Sequence, residues 1–123
     1  IKDIRSNGAK VGIAIKPNTG FDLVAPYLAD IDMLLIMTVE PGFGGQSFMV
    51  DQMHKVEEAR IAINKLSKSK ILLQVDGGIS DTTISTAARA GADCFVAGSA
   101  VYKSKDPALM VRNLRALANA EFI

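Results

Sequence analysis

Ile71-Leu72-Leu73-Gln74-Val75-Asp76-Gly77-Gly78 is the stretch on which the fold turns, an apolar run that stops at a carboxylate and two glycines. Three other runs stop in a similar way. Upstream, Val11-Gly12-Ile13-Ala14-Ile15 ends at Lys16-Pro17, and Met33-Leu34-Leu35-Ile36-Met37-Thr38-Val39 ends at Glu40-Pro41-Gly42. Downstream, Cys94-Phe95-Val96-Ala97 ends at Gly98-Ser99. Runs that are apolar without alternation fit strands buried on both faces, as parallel strands are.

Helical patterns separate the runs. Met49, Met53, Val56, Ala59, Ile63 and Leu66 recur at helical spacing, with Lys55, Glu57, Glu58 and Lys65 expected on the solvated side. Ser80-Asp81 offers an N-cap to a helix carrying Ile84, Ala87 and Ala88, and Gly91 closes it. Asp106-Pro107 caps a last helix through Leu109, Met110, Leu114 and Leu117. Pro26 predicts that residues 21–29 form only a short or broken helix. Ile1 to Gly8 reads as a helix end, with Gly8 in the left-handed conformation that closes it.

Repeated βα units imply a parallel sheet. Four strands make a small open sheet or half of an eight-stranded barrel, which usually takes about 250 residues. A start inside a helix favours the half barrel and suggests a fragment; the glycines decide for it. The expectation is an α/β fold, the C-terminal half (strands five to eight) of a (β/α)8 TIM barrel, with residues 1–123 as one domain fragment.

Bulk properties narrow the function. A net charge of +1, with no basic run or acidic tail, gives no footprint for nucleic acid or a membrane surface. The longest apolar run, residues 33–37, is far short of the roughly 20 residues that span a bilayer. Cys94, the single cysteine, excludes an intrachain disulfide and suits a reducing compartment, so cytoplasm is the expected location.

In α/β folds the working residues sit past the C-terminal ends of the strands. Three of the four strand ends here are glycine-rich: Pro41-Gly42-Phe43-Gly44-Gly45-Gln46, Asp76-Gly77-Gly78 and Gly98-Ser99. Glycine lets backbone amides converge on one point, and helix N-termini add positive dipole ends, which together suit a phosphate dianion. The barrel pattern puts such a site after strands seven and eight, beside a short extra helix, for which residues 100–102 are the candidate. The alternative is that these glycines only make tight turns. Asp76 is placed to act as a general base or metal ligand, against the commoner role of a turn aspartate. Met37, near its strand end, is either core filler or a wall of the barrel mouth. His54 reads as a solvated surface residue without partners for a metal site, and Cys94 as a small buried hydrophobe.

The block Met37-Thr38-Val39-Glu40-Pro41-Gly42-Phe43-Gly44-Gly45-Gln46-Ser47-Phe48 resembles the sixth-strand signature of ribulose-phosphate 3-epimerases. Val75-Asp76-Gly77-Gly78-Ile79 is similar to the seventh, residues 90–100 to the eighth and residues 11–17 to the fifth. The resemblance implies a ribulose-phosphate-binding barrel of the pentose phosphate pathway that inverts C3 of D-ribulose 5-phosphate to give D-xylulose 5-phosphate. It implies that Asp76 is one of two acid/base aspartates and a metal ligand, and that Gly42, Phe43, Gly44, Gly45, Gly77, Gly78, Gly98 and Ser99 hold the substrate phosphate. Met37 would cap the reacting carbons. One divalent ion (Zn, Fe, Mn or Co) is expected in the complete protein, its other ligands lying outside this chain. The expected partner is a ketopentose phosphate, and the complete protein is expected to be a homo-oligomer. Since one base cannot invert a carbon, the 123 residues alone are expected to be inactive. The alternatives are a D-allulose-6-phosphate 3-epimerase, another phosphate-binding barrel enzyme, and a non-catalytic phosphate-binding half-barrel module.

Overall fold

The computed structural model describes residues 1–40, 47–66 and 70–122. After a short helix α1 (Lys2–Ser6) come four parallel strands, β1 (Gly12–Ile15), β2 (Met33–Met37), β3 (Leu72–Asp76) and β4 (Cys94–Val96). They lie in sequence order in one sheet. Between β1 and β2 the chain makes only two 3-10 turns, Phe21–Leu23 and Ala25–Asp30, with Pro26 in the first turn of the second. A 3-10 turn (Val50–Gln52) runs into α2 (Met53–Asn64), α3 (Ile84–Ala90) joins β3 to β4, and α4 (Ser99–Tyr102) and α5 (Pro107–Asn119) close the order.

All the helices that pack on the sheet cover one face of it. Ile15, Leu34, Ile36, Leu73 and Val75 point into that layer and are buried in one cluster with Phe21, Leu28, Val56, Ala59, Ile84, Ala87 and Leu114. Each such side chain, removed from water, contributes about 1.5–3 kcal/mol. Side chains alternate across a strand, so the opposite face carries Gly12, Ala14, Met33, Leu35, Met37, Leu72, Gln74, Asp76, Cys94 and Val96. Its side chains are all partly or fully exposed. The uniformly apolar runs anticipated cover on both faces, whereas the described residues supply it on one. This is the geometry of half a (β/α)8 barrel, whose lumen side is open and whose outer strands β1 and β4 each have no second strand beside them among the described residues.

The N-terminal ends of the strands are fastened by two aspartates in equivalent places. Asp32, just before β2, accepts the Val11 amide at 2.8 Å and pairs with Arg5 at 3.5 Å. Asp93, just before β4, accepts the Leu73 amide at 2.8 Å and pairs with Arg60 at 3.2 Å. This end of the sheet is built for register, which leaves the other end for chemistry.

Three details depart from the sequence expectation. Lys55 is buried rather than solvated, because its stem crosses apolar surface and its ammonium donates to the Lys16 and Pro17 carbonyls at 3.3 and 3.0 Å. Ser80-Asp81 does not cap α3, which begins only at Ile84. Ser80 instead folds a turn of its own, its hydroxyl accepting the Thr82 amide at 3.2 Å. Cys94 is half-buried on the open face, its thiol donating to Gln74 Oε1 at 3.0 Å. By contrast, Asp106 caps α5 through the Leu109 amide at 3.1 Å, and Gly8 and Gly91 both have positive φ at helix ends.

Candidate functional site

β2, β3 and β4 are in register at their C-terminal ends, so Met37 pairs with Asp76 and Asp76 with Val96 in one row. By strand alternation all three lie on the open face, where Asp76 is half-buried. A carboxylate in this position faces what would be the barrel lumen, with a methionine thioether beside it.

Immediately beyond that row lies a concavity of about 550 Å³. Ser47 and Phe48 line it from the segment after β2, Gly78, Ile79, Ser80 and Thr83 from the loop after β3, and Ser99 and Ala100 from the segment after β4. Three strand ends therefore converge on one hollow. No Lys or Arg is among its described lining residues, so an anion there would be held by amide and hydroxyl dipoles rather than by side-chain cations of those residues.

Two glycines after β3 are required by geometry. Gly77 has φ +131°, and a Cβ on it would sit 2.6 Å from Val39 Cγ2 and 2.7 Å from the Val39 nitrogen. Gly78 has φ +70°, and a Cβ there would meet the Phe48 backbone nitrogen at 2.7 Å. Any other residue would thus push the segments on either side of the 41–46 block away from β3. At Gly98 a Cβ would meet no described residue within 4 Å, so the described residues leave open space over the turn into α4.

Hydrogen bonds lock this arrangement. The fully buried Thr38 donates its amide to the Asp76 carbonyl at 2.9 Å and its hydroxyl to the Gly77 carbonyl at 2.6 Å. Its own carbonyl accepts the Met49 amide at 2.8 Å. On the far side, Thr83 donates its hydroxyl to the Gly78 carbonyl at 2.7 Å and accepts the Ser80 amide at 2.8 Å. Lys55 braces the loop after β1 in the same rim, and burial pulls its pKa below the usual lysine value, against the opposing pull of Asp51 and Glu58.

Of the residues singled out in the sequence, Gly78 and Ser99 meet in the concavity, Gly77 lies buried behind it, Gly98 opens the turn beside it, and Met37 and Asp76 form the adjoining row. Gly42, Phe43, Gly44 and Gly45 lie outside the described residues. The sequence reading gave no site role to Thr38, Ser80 or Thr83. Thr38 was a lone hydroxyl closing an apolar run, and Ser80 and Thr83 were hydroxyls just past a glycine pair, the signal that could have found them. No group of three or more His, Cys, Asp or Glu able to hold a metal occurs among the described residues. His54 is exposed, and its Nδ1 lies against the nearby Asp51 carbonyl.

A parallel βα sheet with its glycine loops at one rim and an open inner face defines the class as a half (β/α)8 barrel. Solved barrel enzymes superpose on it: 3-hexulose-6-phosphate synthase from Salmonella typhimurium (TM-score 0.66, 21% identity, 98% of this chain and 54% of that one) and KGPDC from Streptococcus mutans (TM-score 0.66, 18% identity, 100% and 53%). At such identities the likeness speaks for fold alone. The particular family follows from sequence: residues 1–102 match the ribulose-phosphate 3 epimerase family, and the chain belongs to it. It is 50% identical over 119 residues to ribulose-phosphate 3-epimerase of Mycobacterium tuberculosis, covering 97% of this chain and 52% of that protein. To the Candida glabrata enzyme it is 49% identical over 110 residues, covering 87% and 42%. The relative in Oryza sativa, named a cytoplasmic isoform, is 38% identical over 118 residues, covering 94% and 50%. The chain thus spans about half the length of the curated relatives it matches. None of the described helices is long and apolar enough to cross a membrane.

Proposed function

We infer that these 123 residues act as one unit of a complete barrel that epimerises a ketopentose phosphate at C3, interconverting D-ribulose 5-phosphate and D-xylulose 5-phosphate in the cytoplasm. The observation that carries the proposal is the convergence of Gly78 and Ser99 on one uncharged hollow directly beyond the Met37–Asp76 row. A phosphate in the hollow would accept from amides and hydroxyls of the rim, and the sugar would run back over the open face towards Asp76. Gly42, Phe43, Gly44 and Gly45 belong to the proposed phosphate-holding set, with Gly77 and Gly98 shaping the turns.

Asp76 is the proposed base. Its carboxylate takes the C3 proton, and the electron pair left behind is delocalised onto the C2 oxygen. Return of the proton from Asp76 restores the same face, so inversion needs a second acid on the opposite face. Among the described residues nothing stands opposite Asp76, because the inner face is open. Met37 would give the reacting carbons an apolar wall that excludes water. The divalent ion implied by the resemblance does not fit the described residues by themselves, since they offer a single carboxylate at the row and no group of three or more His, Cys, Asp or Glu.

The test is reconstitution. The chain is mixed with a separately produced first half of the Mycobacterium tuberculosis relative, and conversion of D-ribulose 5-phosphate is followed. Turnover is expected only with both halves, and Asp76→Asn is expected to reduce it by about 10²–10⁴-fold, the usual weight of a positioned acid/base group. Turnover by the chain alone, or an Asp76→Asn mixture as active as wild type, would overturn the proposal.

A further inference from the structure

We propose that Thr38 is a positioning residue that aims both halves of the site: the Asp76 carboxylate and the amides of the Gly77-Gly78 turn. This rests on the site assignment above and goes beyond it, since Thr38 faces the interior of the rim and lines neither the hollow nor the open face.

The argument begins with burial. Thr38 is fully buried, and its polar groups are all spent on the chain around the site. Its amide fixes the Asp76 carbonyl and its hydroxyl fixes the Gly77 carbonyl. A peptide group is planar and trans, so its N–H points opposite to its C=O. Holding the Asp76 and Gly77 carbonyls against β2 therefore turns the Gly77 and Gly78 N–H groups away from β2, which is the side from which β4 brings Ser99. The same two bonds fix the backbone on which the Asp76 side chain pivots.

An ordinary strand exit would not need this clasp. Gly77 leaves β3 at φ +131°, outside the ladder geometry, so its carbonyl meets a side-chain hydroxyl on β2 instead of a backbone amide. The Thr38 carbonyl meanwhile accepts the Met49 amide, which draws together the two ends of the segment carrying the glycine block. One threonine thus couples the loop after β2 to the turn after β3. A serine keeps every one of these bonds. Valine has the same shape and loses only the hydroxyl.

The experiment uses the 123-residue chain, isotope-labelled, as wild type, Thr38→Val, Thr38→Ala and Thr38→Ser. Three-bond couplings report the Asp76 χ1 rotamer, and inorganic phosphate is the probe for the hollow through the Gly78 and Ser99 amide resonances. The expected result is one Asp76 rotamer in wild type and Thr38→Ser, with averaging in Thr38→Val and Thr38→Ala. Phosphate affinity is expected to fall about tenfold in the hydroxyl-less variants and to be retained in Thr38→Ser, a fold-change of the size one hydrogen bond carries. An unchanged Asp76 rotamer in Thr38→Val or Thr38→Ala, or averaging in Thr38→Ser, would overturn the proposal. If Thr38→Val and Thr38→Ala do not fold, Thr38→Ser decides it alone by its Asp76 rotamer. If wild type shows no phosphate-induced shift, it is the phosphate assignment that fails, and the Asp76 couplings still judge Thr38.

Discussion

Replacing Gly77 by alanine should separate a glycine required by geometry from one that only permits a turn. At φ +131° an alanine is outside the left-handed well, a strain of about 1–3 kcal/mol. Its Cβ would lie 2.6 Å from Val39 Cγ2 and 2.7 Å from the Val39 nitrogen. The side chain can rotate away but the nitrogen cannot move without dragging Thr38 off the Asp76 carbonyl, so an overpacking cost of about 1–3 kcal/mol adds to the strain. Taking about 3 kcal/mol as the lower middle of that range and a urea slope of about 1.5 kcal/mol/M, the unfolding midpoint should drop by about 2 M. Gly98→Ala is the control, because nothing lies within 4 Å of its Cβ and its φ is −107°. It should change stability by less than about 0.5 kcal/mol. Urea melts followed by far-UV circular dichroism measure both. Equal midpoints for the two variants, or a Gly77→Ala loss under about 0.5 kcal/mol, would refute the argument that β3 exits against the backbone of β2.

Other outcomes follow from the same geometry. Lys55→Met should cost about 1–3 kcal/mol in the same melts, because the Lys16 and Pro17 carbonyls lose a buried donor. Burial lowers the Lys55 pKa below 10.5, so in the window just under that value the unfolded chain holds a proton that the folded chain has released; this contribution makes stability rise with pH there, and the rise should vanish in Lys55→Met. Burial, with help from Asp93 and against a hydrogen bond from the Phe95 backbone, raises the Cys94 pKa above 9.0, so iodoacetamide should alkylate it more slowly at pH 8 than a free thiol, and Gln74→Ala should speed the reaction. With β1 and β4 open at the sheet edges and Val96, Tyr102 and Phe122 exposed near the second, the isolated chain should sediment as a dimer or larger species; a stable monomer would contradict the edge argument.

The fold was legible because its signals are local. Apolar runs, Asp106 before Pro107, Gly8, Gly91 and the Gly77-Gly78 pair each specify their own few residues, and the structure follows them. Where the sequence misled, a contact outside the helix or strand pattern had decided. Lys55 sits among charges in the chain, yet two carbonyls 38 and 39 residues away give its ammonium a buried home. Ser80 looks like a cap, but Thr83 is drawn to the Gly78 carbonyl and delays the helix to Ile84. Cys94 is hydrophobic by type, yet its strand position turns it to the open face beside Gln74. The candidate site could be read in the sequence as residue types, Asp76 and the glycines after the strands, but not as a connected rim. The Thr38 clasp joins strands 39 residues apart in sequence, and no periodicity announces it.

The most direct measurement of the central claim, that this chain carries one of two proton-transfer groups, is solvent deuterium at C3. D-ribulose 5-phosphate is incubated in D2O with the chain, with the complementary half of the relative, and with both, and the recovered ketopentose phosphates are analysed by NMR. Deuterium is expected at C3 of the xylulose epimer only when both halves are present, and its rate of incorporation to fall by about 10²–10⁴-fold with Asp76→Asn. Deuterated xylulose 5-phosphate formed by the Asp76→Asn mixture as fast as by wild type, or formed by either half alone, would contradict the account.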